Sequence, residues 1–570
     1  MNAPGARGSL AVVGTGYLGA GQITPEALAY IDRAEKLFCL GGDPATRLWL
    51  GDRNPTYESL YDAYRVGGDR RLAYRDMVRR ILDPVRRGLT VCAAFYGHPG
   101  VFVNPAHEAI RQARAAGYSA TMRPGISAED CLFADVEFDP ARRGCQSYEA
   151  SYFLVYAPRF DVRSALVLWQ VGAVGVGTYE KEPLWGEQGL SVLVETLLRH
   201  YPPDHEVVLY EAAIFSVCEP RVARVPLAQV AAGGVTVHTT LYLPPRGDSP
   251  PDRRVAARLR LPRVLPKTLA APRPPQRSSG RAPGRRVRAG SLTVVGAGYA
   301  VAGQVTPEAR AQIELADQVF YLMGDPFTAV YLRSLNRRTT SLHDSYRPGR
   351  SGAAAAAEMV ERMLAPVRNG RQVCAAFYGH PAVLMEVTHE ALRRARAEGH
   401  EARMLPGISA ADCLFADLGL DPGVRGCQLY DATDFVLRPR AVEPATPLIL
   451  LQAGAVGVTR YRARLEGSRP GLQVLAAALG RRYPPDHPVT IYEIPPAPLY
   501  EPRIDTVPLA RLTRTPLKVY STLYVAPARE PRLSEDMVRR LHLEALLADH
   551  RVLAADAPVS FRSKKSAAAR

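Results

Sequence analysis

The chain has 570 residues, 47% of them apolar and 22% charged, and its 72 basic and 56 acidic side chains leave a net charge of +16. These values are ordinary for folded protein and exclude collagen-like, coiled-coil and wholly disordered classes; the length predicts three or four domain-sized units. The longest apolar run, Ala165 to Gly177, is shorter than the ~20 residues of a membrane span, the first residues hold no apolar signal core, and the eight cysteines form no CxxC pair, so a reduced, cytoplasmic protein without a metal centre is expected.

In chain order, Leu10–Val13 reads as a strand running into glycines, and Thr24-Pro25 as the cap and first residue of a helix, EALAYIDRAEK. Lys36–Leu40 is the next strand. Tyr74–Arg87 is a helix with Met77, Ile81 and Leu82 on one face. Thr90–Phe95 is a strand ending in Tyr96-Gly-His-Pro, and Asn104-Pro105 opens a helix closed by Gly117. Ser127 or Glu129 caps the helix after PGIS. Beyond Asp139 the pattern changes: Leu166–Gln170, Val207–Glu211 and the alternating Thr236–Leu243 read as strands, so each unit has two lobes divided near 137–150. Alternating strands and helices predict an α/β fold with a mainly parallel sheet and ligands at the strand C-terminal ends.

The pattern then repeats. LAVVGTGYLGAGQITPEAL at Leu10 matches LTVVGAGYAVAGQVTPEAR at Leu292, VCAAFYGHPG at Val91 matches VCAAFYGHPA at Val373, PGISAEDCLFAD at Pro124 matches PGISAADCLFAD at Pro406, and YPPDH recurs at Tyr201 and Tyr483, always 282 residues on. The chain therefore reads as two tandem copies of one two-lobed unit. A first unit covers 1–250, a clasp-like helix and basic Pro/Arg-rich linker 251–290, a second unit 291–528, and a clasp-like helix with a charged tail 529–570. Two such copies are expected to pack as an intramolecular pseudo-dimer. The linker carries Arg263, Lys267, Arg273, Arg277, Arg281, Arg285, Arg286 and Arg288 without an acid. It lacks aromatic residues to stack bases, so it reads as a solvated connector and no nucleic-acid partner is expected.

Three glycine-containing turns follow strands. GTGYLG, Gly14–Gly19, fits G-x-G-x-x-G, but its helix starts only at Thr24-Pro25, the second copy has Val301 at the third position, and no clear acid for a ribose stands out, Asp43 being a candidate that precedes a proline. That argues against a nicotinamide site. His98 and His107 are spaced for no helical or hairpin metal site. VVGTG…GQITPEAL, FYGHPGVFVNPAH and PGISAEDCLFAD, continued by CQSYEASYFL, LVLWQVG, VVLYEAA and TTLYLPP, resemble the tetrapyrrole-methylase superfamily and, more closely, the borosin (omphalotin-type) peptide α-N-methyltransferases. The resemblance covers nearly all of each copy. It implies a two-lobed methyltransferase using S-adenosylmethionine and releasing S-adenosylhomocysteine. The cofactor would lie against Gly14, Gly16, Tyr96, His98, Gly100, Val101, Phe102, Ser127, Ala128, Gln170, Tyr210, Ala212 and Thr240.

The family's catalytic signature is matched by Tyr61, Tyr64, Arg70 and Tyr74 in LYDAYRVGGDRRLAYRDM. A peptide N–H is a poor acid and its nitrogen a poor nucleophile. Arg70 can stabilise charge developing on the amide oxygen and favour the tyrosinate form of Tyr74, the candidate general base. Tyr61 and Tyr64 can bond the carbonyl or close the pocket. Taken without the resemblance, these residues read sooner as a helix surface than as a catalytic set. In the second copy the four positions hold His343, Tyr346, Gly352 and Ala356, while Gly100, Phe102 and Asn104-Pro105 become Ala382, Leu384 and Glu386-Val387. The second copy is thus expected to be a degenerate methyltransferase that completes the first. The C-terminal LEALLADHRVLAADAPVSFRSKKSAAAR is charged and unlike the apolar core peptide many borosin enzymes carry, so a precursor peptide supplied in trans is expected, drawn in by the net positive charge when its leader is acidic. A tetrapyrrole (precorrin-type) C-methyltransferase and a non-catalytic cofactor- or peptide-binding module are the alternatives.

Overall fold

The computed structural model describes residues 8–65, 70–175, 187–215, 217–261, 290–347, 350–458, 466–495 and 500–543. In the first half, strands β1 (Ser9–Gly14), β2 (Lys36–Leu40), β3 (Glu58–Ser59), β4 (Thr90–Phe95) and β5 (Ser119–Arg123) alternate with helices α1 (Pro25–Arg33), α2 (Pro44–Arg53), α3 (Arg70–Arg86) and α4 (Asn104–Ala115). The strands form one parallel sheet ordered β3-β2-β4-β1-β5. Its central strands are apolar on both faces because helices cover both. Local chemistry starts the helices as expected: Thr24 Oγ1 accepts the Ala27 amide at 3.1 Å, with Pro25 at the first position. Asp43 caps α2 through the Thr46 amide at 2.8 Å. Helix α1 stops at Arg33, short of its expected end, because β2 begins at Lys36; α3 starts a turn early, at Arg70, and buries Ala73, Met77, Ile81, Leu82 and Val85.

Helix α5 (Ala128–Asp135) leads into the second lobe: β6 (Cys145–Glu149), α6 (Ala150–Tyr156), β7 (Ala165–Trp169), α7 (Glu187–Leu198), β8 (Glu206–Glu211), β9 (Arg221–Pro226), β10 (Thr240–Leu243) and α8 (Arg253–Arg258). Here β6 and β7 are parallel but the pairs of β10 with β7 and β8, and of β8 with β9, are antiparallel, so the mainly parallel expectation holds for the first lobe alone. The expected strand from Thr236 forms only from Thr240. Thr236 and Thr239 close a turn on each other, and both hydroxyls donate to Glu211 Oε1, at 2.9 and 2.6 Å.

The second half repeats this order. Its first lobe has β11 (Ser291–Gly296), α9 (Pro307–Leu315), β12 (Gln318–Leu322), α10 (Pro326–Leu335), β13 (Thr339–Ser341), α11 (Gly352–Arg368), β14 (Gln372–Phe377), α12 (Glu386–Ala397) and β15 (Glu401–Leu405), with the parallel order β13-β12-β14-β11-β15. Then follow α13 (Ala410–Leu418), α14 (Pro422–Arg425), β16 (Cys427–Asp431), α15 (Ala432–Leu437), β17 (Leu448–Leu451), α16 (Arg469–Leu479), β18 (Pro488–Glu493), β19 (Arg503–Pro508), β20 (Thr522–Val525) and α17 (Glu535–Arg540).

Strand β16 pairs antiparallel with β6, joining the two second lobes into one ten-stranded sheet, β19-β18-β20-β17-β16-β6-β7-β10-β8-β9. The register is reciprocal: Cys145 faces Leu429, Gln146 faces its own counterpart Gln428, and Ser147 faces Cys427. Other contacts repeat in both directions. His98 Nε2 donates to the Asp412 carbonyl at 3.0 Å and His380 Nε2 to the Asp130 carbonyl at 2.9 Å. The Phe102 amide donates to Asp421 and the Leu384 amide to Asp139. One buried apolar cluster takes Ile126, Phe133, Cys145 and Trp169 from the first half and Phe377, Phe415, Cys427 and Leu451 from the second. The segments expected to be clasps cross over as short helices. The Asp252 amide before α8 donates to Leu437, and Leu259 is buried in the second half. The Ser534 amide before α17 donates to Val155, and Val538 and Leu541 are buried in the first. The linker at 262–289 and the tail from 544 lie outside the described residues. No described helix is long and apolar enough to cross a membrane, and no cysteine is disulfide-bonded.

Candidate active site

The C-terminal ends of β1 and β4 meet the loop before α5 in a three-way crossing. A Cβ on Gly14 would lie 2.5 Å from the Gly97 carbonyl oxygen and 2.7 Å from Gly125 Cα, so no side chain fits. Gly16, at φ +71°, exchanges amide–carbonyl bonds with Gly97 at 3.3 and 3.0 Å. These glycines are required by the approach of backbone to backbone. Tyr17 then folds over Gly97, and its ring meets Tyr96 edge-on at 5.9 Å. No Lys or Arg occurs from Gly14 to Ile23, so this loop offers amides and aromatic faces but no phosphate counter-charge.

The structure sorts the other expected cofactor contacts. Tyr96 is 40% exposed, and Gln170, at φ +55°, is exposed just beyond β7. His98 is buried and both ring nitrogens are engaged, Nε2 with Asp412 and Nδ1 by the Gly100 amide at 2.9 Å; burial pushes it down to about 3. Gly100 packs against His98 and Met122, and its carbonyl accepts from His107 at 2.9 Å, which also accounts for that histidine. Val101 and Phe102 pack at the contact between the halves; Phe102 holds φ +59° and meets Trp169 edge-on at 4.8 Å. Ser127 forms a capping box with Asp130, and Ala128 is the first residue of α5. The Tyr210 hydroxyl donates to Asp135 at 2.7 Å; burial pushes Asp135 up to about 6, with that bond opposing it. Thr240 pairs with Tyr210, and Ala212 follows β8 as a half-buried residue. Of the expected contacts, His98, Ser127 and Tyr210 already spend their polar atoms inside the protein.

The expected catalytic residues converge. Tyr61 lies under the Arg47 guanidinium, 5.0 Å from its ring centroid, and 6.4 Å from Tyr64. Tyr64 meets Tyr74 edge-on at 6.3 Å and shares a side-chain hydrogen bond with it. Burial, then the neighbouring Tyr74 and Tyr96, raise the Tyr64 phenol well above its ordinary value, against the pull of Arg70. Arg70 and Tyr74 both act electrostatically on Tyr96. Arg70 also acts on Glu149, whose carboxyl burial raises although it accepts the Tyr152 amide at 2.6 Å. Tyr17 and Glu149 are the residues sequence reasoning missed. Tyr17 had a signal in its place between Gly16 and the turn; Glu149 had none, because only folding brings its carboxyl within electrostatic reach of Arg70.

In the second half the scaffold persists, but the positions of Arg70 and Tyr74 hold Gly352 and Ala356. Gly298 holds φ +64°, Gln452 φ +53°, and Tyr492 donates to Asp417 at 2.6 Å. Yet a Cβ on Gly352 would meet nothing within 4 Å, and Ala356 is half-buried against core residues. His343 Nε2 bonds the Met323 carbonyl at 2.7 Å, and Arg350 is paired with Glu358.

A family model described as tetrapyrrole (corrin/porphyrin) methylases matches residues 9–231 and 291–493. The chain is 43% identical over 246 residues to the methyltransferase/ribosomally synthesized cyclic peptide dendrothelin A precursor of Dendrothele bispora, covering 42% of this chain and 58% of that protein. It is 41% identical over 261 residues to the methyltransferase/ribosomally synthesized cyclic peptide omphalotin A precursor of Omphalotus olearius, covering 45% and 62%. The matches thus span about three-fifths of those relatives. The uroporphyrin-III C-methyltransferase structure of Thermus thermophilus aligns at 18% identity and TM-score 0.32, over 42% of this chain and 93% of that one.

Proposed function

The chain belongs to the tetrapyrrole (corrin/porphyrin) methylase family, and from that premise we propose that its first half is an S-adenosylmethionine-dependent methyltransferase acting on backbone amides of a separate, ribosomally made peptide. The chain then reads as a tandem duplication folded as a pseudo-dimer, the second half standing where a partner subunit would and having lost the chemistry. One observation carries this: Tyr61, Tyr64, Arg70 and Tyr74 converge beside the glycine crossing in the first half, while the same backbone in the second ends in Gly352 and Ala356. The relatives' names, which join a methyltransferase to a cyclic-peptide precursor, support the peptide over a tetrapyrrole.

The donor set suits a nucleoside carrying a sulfonium. The loop after β1 has no cation to hold a phosphate, and Tyr17 and Tyr96 present rings that favour a positive group. Backbone groups around Gly14 and Gly16, with Tyr96 and Gln170, would hold it, and bound there it supplies an electrophilic methyl group. Arg70 would stabilise charge gathering on the amide oxygen, and Tyr74 would accept the nitrogen's proton. Tyr64, kept protonated by its surroundings, can donate a hydrogen bond to the Tyr74 oxygen and so stabilise the deprotonated form that the proton transfer requires, a charge that is consumed as the proton arrives. The exposed Ile214 and Phe215, just after Ala212, offer an apolar lip to a peptide.

Calorimetric titration with S-adenosylhomocysteine tests the premise; absence of binding would remove it. The chain is then incubated with S-adenosylmethionine alone and with apolar test peptides. Mass gain on peptide nitrogens only when peptide is added is expected. Gain on the chain itself would overturn action in trans, and methylation of a tetrapyrrole carbon would overturn the peptide substrate.

A further inference from the structure

A second polar cleft lies away from this site, where the segment after β10 crosses onto the second half. The first half supplies Arg142, Arg143, Arg163 and Ser249, and the second Arg438 and Arg440; Asp248 is the lone carboxylate on the wall. Arg440 is 5% exposed, yet its Nε meets no hydrogen-bond partner, and the same is true of the Oγ of Ser249, 6% exposed. Orphaned donors this deep are costly unless something satisfies them. Behind the wall, Asp434 accepts from Arg440 at 2.6 Å and also pairs Arg438, and Asp161 pairs Arg163 at 3.1 Å. Asp248 holds Arg143 at 2.7 Å, and Glu386 reaches Arg142 only at 3.8 Å. Five guanidinium groups therefore face fewer carboxylates than would neutralise them.

The duplication supplies an internal control. At the equivalent positions on the other side, Arg142 becomes Val424, Arg163 becomes Ala445, Ser249 becomes Pro531, Arg438 becomes Tyr156 and Arg440 becomes Pro158. Only Arg143 is kept, as Arg425, and Glu530 satisfies it at 2.7 Å. The same strand pairing forms without the cluster, so the arginines are not demanded by the junction.

We propose that this cleft is a binding site for a tetrahedral oxyanion of the phosphate class, whose ligand bridges the two halves. The cavity of about 10 Å³ admits one oxygen. Arg143 and Arg163, with side chains 27% and 40% exposed, form the outer wall and can re-aim onto the others. Guanidinium forks converging from several directions, with a serine hydroxyl, suit a tetrahedral anion better than a planar carboxylate, which one fork satisfies.

The test is thermal unfolding and calorimetry of the full chain with inorganic phosphate, with O-phosphoserine, with acetate, and with chloride at matched ionic strength. Saturable stabilisation by phosphate, half-maximal in the millimolar range or below, is expected, and the tighter of phosphate and phosphoserine tells a free anion from an ester. The double variant Arg142→Val/Arg163→Ala, whose replacements the other side already tolerates, is expected to fold, judged by its circular dichroism, and to bind phosphate at least ten-fold more weakly. An equal response in parent and variant, an equal effect of chloride, or tighter binding of acetate would overturn the proposal.

Discussion

At the scale of single residues, position in the fold decides whether a side chain is free for chemistry. Tyr74 and Arg70 are half-buried at the start of α3, while His98 is locked at both nitrogens. Replacing Tyr74 by Phe, or Arg70 by Ala, is expected to lower kcat/KM for peptide methylation by about 10²–10⁴-fold; the melting temperature should hardly move, and turnover at parental rates would refute the assignment. Glu129 makes a different prediction. Burial pushes this carboxyl up to about 8, and its Oε1 meets no partner. Because the folded value lies above the ordinary one, the protonated form is favoured in the folded chain. That contribution is complete below about pH 4.5 and is lost as the pH rises through 8, costing up to several kcal/mol at about 1.4 kcal/mol per pKa unit. Glu129→Gln should therefore unfold at about the parent's temperature at pH 5 and clearly above it at pH 9 in melting scans across pH.

Among the elements, the clearest signals were local ones. Thr24, Asp43 and Ser127 start helices by accepting backbone amides of the first turn; Thr24 and Ser127 were readable because a cap and its partner lie within four residues, whereas Asp43, weighed only as a ribose partner, was not read as the cap of α2. Ser409 repeats the capping box of Ser127 on α13. Ser127→Ala and Ser409→Ala should each cost about 1 kcal/mol in denaturant unfolding, and a large difference between the two would show that the halves have diverged energetically here. Strand extent was less legible. The alternation of Thr236–Leu243 looked like a strand, but Glu211, on a different strand, captures both threonine hydroxyls and turns the chain. The antiparallel second lobe was hidden for the same reason, since strand direction depends on which distant strand is met.

For the whole molecule, the halves interlock at every level: strand to strand through Gln146 and Gln428, core to core, and each terminal helix on the opposite half. A chain cut by protease between 262 and 289 is accordingly expected to elute as one particle in size-exclusion chromatography, and separation into halves would contradict the interlock. A Cβ on Gly144 would lie 2.0 Å from the Tyr430 ring, and one on Gly426 2.2 Å from Tyr148. Either glycine changed to Ala is expected to loosen this junction and lower the melting temperature by several degrees, whereas Gly399→Ala, with open space around it, is strained only by its φ of +83°.

What the sequence by itself determined is the repeat, the α/β character of each unit, most strand and helix starts in the first lobe, and the residue types of the Tyr-Arg-Tyr cluster with their absence in the second copy. These are carried by neighbours in the chain or by matched positions 282 residues apart, so no three-dimensional information is needed to see them. Only the tertiary structure decided that the glycine turns are spaced by backbone crossings, that Glu149 comes within electrostatic reach of Arg70, that His98 serves the contact between halves, and that five arginines from two halves surround one small cavity. Each of those facts depends on groups distant in sequence coming within a few ångströms, where burial removes water and makes an unmatched charge or donor count.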